Sequence, residues 1–280
     1  MKKLAVMYSG GTDSTAAVIR VARDFDEVHL LTYKHRGITQ VENSHHNVPK
    51  LSELFGDDKF VHRYVDIDRL LREVSYSRYA HFVRRYGFFN LTTCGLCKFT
   101  MHLRTLLYCI DHGIGHMLDG ANHNMSHFPA QMREVIAELR RMYARFGVEY
   151  TNPVFELDFP DNIDWYHKMC LQNLARRPKS ATPKPTGETV TTGKILQDHG
   201  FFEEENIKGE KIDRKVQPRC FQFALLNVFA LSYYIPKHGM DRYKEMLAKF
   251  FGEKRVMFEE EVAEYVKDRR QSRLARLIEV

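Results

Sequence analysis

An apolar run that stops at Ser9-Gly-Gly-Thr-Asp-Ser14 is the feature that most restricts the fold of this chain. The run predicts a β-strand, the glycines predict a tight turn, and the residues that follow favour a helix. Glycine permits positive φ values and lets a ligand approach the backbone closely. The first amides of the helix and its dipole favour an anion in the turn, beside the hydroxyl groups of Ser9, Thr12 and Ser14. The pattern therefore predicts a phosphate-binding loop.

This loop differs from two common phosphate-binding patterns. It does not end in Gly-Lys-Ser or Gly-Lys-Thr, which excludes a Walker loop, and it lacks the G-x-G-x-x-G fingerprint of dinucleotide-binding folds. Asp13 places a carboxylate in the anion site, where a direct phosphate contact would be repulsive. We therefore expect Asp13 to cap the helix or to bind on the magnesium side of the site.

Composition restricts the class of protein. Hydrophobic residues make up 44% and charged residues 28% of the 280-residue chain, which suits a soluble globular protein with one enlarged domain or two unequal ones. No apolar stretch is long enough to span a membrane. The start is similar to that of a signal peptide, but its apolar run ends at Tyr8, so we expect a cytoplasmic protein. The net charge of +6 suits RNA or an anionic small substrate.

Strand and helix patterns alternate through the first half of the chain. After the first strand, further strands are predicted at Glu27–Tyr33, Phe60–Val65 and Gly115–Asp119. Helices are predicted at Val48–Leu54, from Ile67 onwards, at Lys98–His112 and at Gln131–Phe146. This alternation predicts an α/β fold with a parallel sheet and helices on both of its faces. In such sheets ligands bind at the carboxyl ends of the strands.

The pattern weakens after about residue 150. We expect residues 1–150 to form the ligand-binding domain and residues 151–280 to form a mostly helical region. Its helices are predicted at Cys220–Tyr234, Met240–Phe251 and Phe258–Arg273. A proline-rich stretch before them predicts an exposed loop. Its basic residues, Arg176, Arg177, Lys179 and Lys184, suit a phosphate backbone, a lid over a nucleotide or a solvated connection.

Cysteine spacing gives the second strong feature. Cys94 and Cys97 form a C-x-x-C pair, whose sulfurs can converge on one metal. The pair precedes a predicted helix, whose N-terminus would lower the pKa values of both thiols. Cys109 and Cys170 lie in apolar helical segments and suit packing, whereas Cys220 is expected to open a helix after a loop. The pair is compatible with a redox site, half a zinc site or part of an iron–sulfur site.

The pattern S-G-G-x-D-S resembles the pyrophosphate loop of the PP-loop ATP pyrophosphatases. With a central C-x-x-C and one distant cysteine, the chain resembles the iron–sulfur-dependent tRNA thiolases (sulfurtransferases) of that superfamily. The resemblance covers roughly residues 1–125 and the Cys220 segment. It implies an adenine nucleotide hydrolase-like fold and an AMP-forming enzyme that adenylates a substrate oxygen and then transfers sulfur.

The resemblance also implies cofactors and site residues. It implies ATP with Mg²⁺, and a [4Fe-4S] cluster on Cys94, Cys97 and Cys220 with one iron left open to carry the attacking sulfur. Asp13 and these cysteines would be the catalytic residues. The ATP site is expected at Ser9, Gly10, Gly11, Thr12, Asp13, Ser14, Leu31, Thr32, Tyr33 and Gly120, with adenine near the second strand. The expected partners are tRNA or a small-molecule substrate and a sulfur donor, and a homodimer is one option.

Two departures from the family leave alternatives open. The segment Asp119–Asn124 lacks the aspartates usual there, and residues 150–217 match no known pattern. A structural zinc site, with a histidine such as His102 as fourth ligand, is the alternative to a cluster. A PP-loop ligase or amidotransferase with such a zinc, and a non-enzymatic nucleotide- or RNA-binding protein, are the alternative functions.

Overall fold

A computed structural model describes residues 1–87, 94–123, 128–157, 190–204, 212–221 and 227–278. Some of the sequence predictions fall outside the described residues. They are the packing role of Cys170 and the basic loop with Arg176, Arg177, Lys179 and Lys184. In the described part, no helix is long and apolar enough to cross a membrane.

A parallel five-stranded sheet forms the centre of the fold, as predicted. Its strands are β1 (Lys3–Met7), β2 (Glu27–Lys34), β4 (Phe60–Asp66), β5 (His116–Asp119) and β6 (Glu149–Thr151). Their order is β4-β2-β1-β5-β6, and every neighbouring pair is parallel. The strand order reverses beside β1, so the loops after β1 and β5 leave a crevice at the carboxyl edge. The phosphate-loop sequence begins at that edge.

Side chains on β1 alternate between two hydrophobic cores. Ala5 and Met7 belong to one buried cluster, and Leu4 and Val6 belong to the other. Helices α1 (Thr12–Val21) and α2 (Val48–Phe55) supply the second cluster, with α7 (Thr192–Asp198) packed on α1. Helices α3 (Asp68–Val74), α4 (Tyr79–Tyr86), α5 (Cys94–His112) and α6 (Arg133–Arg145) supply the first. The prediction of helices on both faces is confirmed.

The C-terminal helix is longer than the sequence predicts. Instead of two helices, α10 runs without a break from Met240 to Lys267, through Gly252. A glycine inside a helix costs only about 1 kcal/mol, whereas burying a phenylalanine stabilises by roughly 1.5–3 kcal/mol. Phe251 and Phe258 flank the glycine and are buried in the first core, so packing outweighs propensity. The remaining helical elements are α8 (Asp213–Val216), a π-helix (Asn227–Tyr234), α9 (Ile235–His238) and α11 (Arg273–Ile278).

A second, two-stranded sheet lies beside the carboxyl edge. β3 (Ile38–Thr39) follows β2 closely and pairs antiparallel with β7 (Arg219–Cys220). Cys220 therefore ends β7 instead of opening the predicted helix, and helical conformation begins at the next residue, Phe221. The Phe221 amide donates to the Gly37 carbonyl at 2.8 Å, so the chain at Cys220 is extended by pairing with a distant segment. No local pattern in the sequence reports that partner.

Gly120 packs the β5 loop directly against the start of α1. A Cβ atom at this position would lie 2.6 Å from the Ser14 amide nitrogen, which is backbone and cannot turn aside. A Cβ at Gly115, before the same strand, would meet nothing within 4 Å, and neither glycine has a positive φ. Glycine is thus required at position 120 because the Ser14 backbone leaves no room for a side chain, and not because of its backbone angles.

We predict that Gly120→Ala lowers the free energy of unfolding by about 1–3 kcal/mol, because the added methyl group overpacks the junction. Gly115→Ala is the matched control and should be neutral or slightly stabilising. Urea denaturation of the two variants beside the wild type measures the difference. Equal midpoints for the two variants would contradict this packing.

Candidate functional site

The phosphate-loop sequence forms a tight turn directly after β1. The Tyr8 amide donates to the Leu31 carbonyl at 2.9 Å, which extends the pairing of β1 with β2 by one residue. Gly10 then takes φ = +73°, a value that favours glycine, and Gly11 precedes the first turn of α1. A Cβ atom on Gly10 would lie 2.4 Å from Cα of Ser44. The turn therefore depends on glycine both for its backbone angle and for the segment packed on it.

Asp13 does not cap α1, so the first of its two predicted roles is wrong. The cap falls two residues earlier, at Gly11, and the Ser14 hydroxyl donates to the Gly11 carbonyl at 3.1 Å. Thr12 begins the helix and is buried. Asp13 lies in the first turn, where its Oδ1 accepts a 2.8 Å hydrogen bond from the Thr192 hydroxyl. Its carboxylate thus links α1 to α7, and a role beside magnesium stays a prediction.

Hydrogen bonds within the turn orient its polar groups. The Ser9 and Ser14 hydroxyls are 3.2 Å apart, and the Gly11 amide donates to the Ser9 hydroxyl at 3.3 Å. The Asn47 side-chain amide donates to the Gly10 carbonyl at 2.8 Å and fixes the turn from the start of α2. A helix N-terminus with ordered hydroxyl groups around it favours a bound anion.

The residues expected to border adenine lie at the end of β2. Leu31 and Tyr33 are buried in the first core, where the Tyr33 hydroxyl bonds to that of Thr105 at 2.5 Å. Thr32 faces the opposite side of the sheet, and its hydroxyl donates to the Tyr8 carbonyl at 2.7 Å. The side chains of Leu31 and Tyr33 are used by the core, so these two residues have only backbone groups to offer a nucleobase.

The C-x-x-C pair lies within α5 instead of preceding it. Cys94 is the first described residue of this helix, and the three-residue spacing places Cys94 and Cys97 on one side of it. Cys97 is 4% exposed and Cys94 is half-buried. Cys220 is exposed on β7, where it pairs with Ile38 close to the end of β2.

The sulfurs of Cys94, Cys97 and Cys220 lie close enough for their charges to interact. Burial raises the pKa of Cys94 to about 12, and repulsion from Cys220 adds to the rise. Burial raises the pKa of Cys97 well above its ordinary value, with added repulsion from Cys220 and Cys94, and Lys98 opposes the change. The sequence predicts lower pKa values from the helix N-terminus, but removal of water outweighs that effect. Thiolates here require a compensating positive charge.

His35 is the histidine that contacts this cluster. Its Nε2 lies 3.2 Å from Sγ of Cys97, and the residue is 6% exposed. Burial lowers the pKa of His35, which favours the neutral ring, while Asp68 and Asp66 oppose that change. No motif surrounds His35 in the sequence, and only its position after β2 could have drawn attention to it.

His102, the histidine offered as a fourth zinc ligand, lies elsewhere. Its Nδ1 is 3.2 Å from the Tyr143 hydroxyl and its Nε2 is 3.7 Å from Oδ2 of Asp119. Burial and the nearby Lys98 lower the pKa of His102 to about 3, although Asp119 opposes them. Cys109 lies in the core at 1% exposure, in agreement with the packing role expected for it.

Cys94, Cys97 and Cys220 offer sulfur donors, the ligand type that zinc and iron–sulfur clusters accept. The Tyr243 hydroxyl is buried beside Cys94, which raises its pKa, and it has no hydrogen-bond partner among the described residues. Across these same residues, no three His, Cys, Asp or Glu side chains surround one point closely enough for a single ion. Zinc requires sulfur ligands about 2.3 Å from one centre, whereas cysteines on a cluster bond to separate iron atoms. A closed zinc site would need these side chains to move together.

The segment 216–220 connects the phosphate loop to the cysteines. A Cβ on Gly10 would lie 2.6 Å from the Val216 carbonyl oxygen, and one on Gly11 would lie 2.7 Å from Oε1 of Gln217. The Asn43 side chain donates to the Gln217 carbonyl at 3.4 Å. Three residues beyond Gln217, the same segment carries Cys220 to the C-x-x-C pair. The two predicted sites are therefore neighbours.

Lys98 is a charged residue of the site that the sequence analysis missed. Its Nζ lies 3.2 Å from Oδ2 of Asp119, which is fully buried at the end of β5. Burial alone would raise the pKa of Asp119, but Lys98, His102 and the Ala121 amide together lower it. The ammonium group of Lys98 thus lies between the cysteines and the β5 end of the crevice. In the sequence, its position directly after Cys97 could have identified it as a residue of the site.

Comparisons with known proteins give little about identity. No protein-family model matches the sequence, and no curated protein is detectably similar to it. One similar solved structure is described as a predicted subunit of tRNA methyltransferase from Methanocaldococcus jannaschii. It is 17% identical, with a TM-score of 0.38 over 57% of this chain and 70% of the other. A likeness at this level assigns neither a family nor a substrate.

We predict that Lys98→Met lowers the free energy of unfolding at pH 7 by about 3 kcal/mol, because it leaves the Asp119 carboxylate buried and unpaired. The lowered pKa of Asp119 means that its charged form stabilises the fold above an ordinary carboxyl pKa near 4. The loss should therefore shrink as the pH falls through that range. Chemical denaturation at pH 7 and at pH 4 tests this, and Lys98→Met/Asp119→Asn should recover part of the stability. A deficit independent of pH would contradict the pairing.

Proposed function

We propose that this chain is an AMP-forming sulfurtransferase. It binds ATP with Mg²⁺ at Ser9–Ser14, adenylates an oxygen atom of its substrate, and replaces that oxygen with sulfur at Cys94, Cys97 and Cys220. The observation that carries the proposal is the shared segment 216–220, which packs on the glycine turn and also carries Cys220 to the pair. A phosphate loop alone would fit many ATP-binding proteins. A phosphate loop beside three interacting cysteines is much more restrictive.

The turn and Lys98 supply what the first half-reaction needs. The substrate oxygen attacks the α-phosphorus of ATP, the bond to the pyrophosphate oxygen breaks, and pyrophosphate leaves. Amides of the first turn of α1 and hydroxyls such as that of Ser9 would hold the pyrophosphate. Asp13 would orient Mg²⁺, which shares the negative charge of the leaving group. Lys98, whose side chain is 28% exposed, would oppose negative charge on the reacting phosphate.

The cysteines supply the second half-reaction. Sulfide from a donor forms a bond to the activated carbon, and the carbon–oxygen bond then breaks to release AMP with the former substrate oxygen. A cluster held by these cysteines would supply an iron atom without a protein ligand, on which sulfide could be carried. Burial of Cys97 would keep water from its sulfur, and the exposed side at Cys220 would admit the substrate.

The substrate is an anionic molecule that bears a carbonyl oxygen, with tRNA as the first choice. The net charge of +6 supports a polyanion. The alternative substrate is a small anionic metabolite that bears the same carbonyl group. Thiolated nucleosides in bulk tRNA, compared between a wild-type and a deletion strain by mass spectrometry, distinguish the two.

We predict that Gly11→Val weakens ATP binding by at least about tenfold, because its side chain occupies phosphate space and removes charge-assisted hydrogen bonds. The backbone angles at Gly11, φ −71° and ψ 171°, suit any residue, and the nearest atom to a Cβ there is the movable end of the Gln217 side chain, so the variant should fold. Calorimetric titration with a non-hydrolysable ATP analogue measures the effect, with Gly115→Val as the control. Unchanged affinity in a folded Gly11→Val protein would place the nucleotide elsewhere.

We also predict that Cys220→Ser abolishes iron binding after anaerobic reconstitution, whereas Cys109→Ala retains it. The reason is that Cys220 interacts with the pair and Cys109 is a core residue. Iron and acid-labile sulfide per chain are the measurements. A stoichiometric zinc in place of iron would favour a ligase or amidotransferase with ammonia as nucleophile. ATP binding without pyrophosphate release on any substrate would favour a binding protein.

A further inference from the structure

His35 lies between α5, which carries Cys94 and Cys97, and β7, which carries Cys220. It follows β2 directly and precedes β3, which pairs with the strand that holds Cys220. Its ring reaches α5, where Nε2 is 3.2 Å from Sγ of Cys97. The side chain is buried, so this contact is made without competition from solvent.

Hydrogen bonding on the other side of the ring fixes its tautomer. The Gly37 amide donates to Nδ1 of His35 at 3.0 Å, so Nδ1 is the acceptor. Because Nδ1 accepts, it carries no proton, and the ring proton lies on Nε2, the atom that faces Cys97. The Cys97 sulfur is therefore the acceptor of an N–H donor, as a thiolate or a metal-bound sulfur would be.

We infer that His35 is a positioning residue that donates its Nε2 proton to the Cys97 sulfur and stabilises its negatively charged form. The inference rests on the proposed function, because it gives that sulfur the role of holding a metal group. Cys97 is the thiol that most needs such a donor, since it is the most buried of the three and is repelled by both of the others. Hydrogen bonds to cluster-bound sulfurs raise the reduction potential of the cluster.

The same hydrogen bonds argue against His35 as a metal ligand. Ligation through Nε2 would require the proton to move to Nδ1, and the Gly37 amide would then face another donor. Gly37 is also held on its other side, because its carbonyl accepts from the Phe221 amide at 2.8 Å. One peptide segment thus fixes the His35 ring and the strand that holds Cys220, which couples the positions of Cys97 and Cys220.

A matched pair of substitutions separates the donor from the rest of the side chain. In His35→Asn, the side-chain carbonyl can still accept from Gly37, but no donor reaches Cys97. In His35→Gln, the longer amide keeps a donor near the Nε2 position. Both residues are polar and uncharged, so a difference between the two variants reports the hydrogen bond and not the loss of a ring.

The measurements are iron content and reduction potential of the anaerobically reconstituted protein. We expect both variants to keep the wild-type iron content, His35→Asn to have a more negative potential, and His35→Gln to lie close to the wild type. Loss of iron in both variants would make His35 a ligand and overturn the inference. A potential unchanged in His35→Asn would overturn it as well.

If the wild type holds no metal, the proposed function fails, and the inference is tested on the free thiol. In a background where every cysteine except Cys97 is alanine, the thiolate absorbance is titrated against pH. Removal of the donor in His35→Asn should lower the acid dissociation constant of Cys97 by about tenfold or more, as expected for a hydrogen bond to a charged group. No change would overturn the inference independently of metal binding.

Discussion

Contact between the glycine turn and two distant segments organises this structure. Ser44 and the Val216 carbonyl rest on Gly10 at distances that any side chain there would prevent. Because Gly10 has no side chain, the chain after Val216 can pass directly over the turn and pair with β3 at Ile38. That route carries Cys220 to the cysteine pair. A side chain at Gly10 would push the chain at Val216 away from the turn and so separate Cys220 from the cysteine pair.

Burial gives the cysteine site its chemical character. Water is removed from Cys94 and Cys97, so their thiols hold protons strongly until a positive charge or a hydrogen-bond donor arrives. The structure places one of each nearby, Lys98 as a cation and His35 as a donor. Both groups partly compensate the negative charge of the thiolates, and a bound metal group would supply the remaining positive charge. In the proposed function, metal binding and thiol deprotonation are therefore coupled at this site.

Much of the fold could be predicted from local sequence. The strands at Glu27 and Phe60 begin where predicted, and the glycine turn lies between β1 and α1. Boundaries that depend on packing could not be predicted in this way. Gly252 suggests a break, but the buried phenylalanines around it keep α10 continuous. The prediction that Asp13 caps α1 was wrong for a related reason, since the exact start of a helix depends on how the preceding turn packs.

The sequence by itself determined the parallel α/β fold, the glycine turn between β1 and α1, and the spacing of the C-x-x-C pair. These follow from periodicity, from glycine at fixed positions and from the chemistry of sulfur, all of which are local. Only the tertiary structure decided which histidine approaches Cys97, how Cys220 is presented and that Lys98 pairs with Asp119. Each of these contacts joins residues from separate elements of the chain. Their partners are set by burial and backbone pairing across the fold, which no local pattern records.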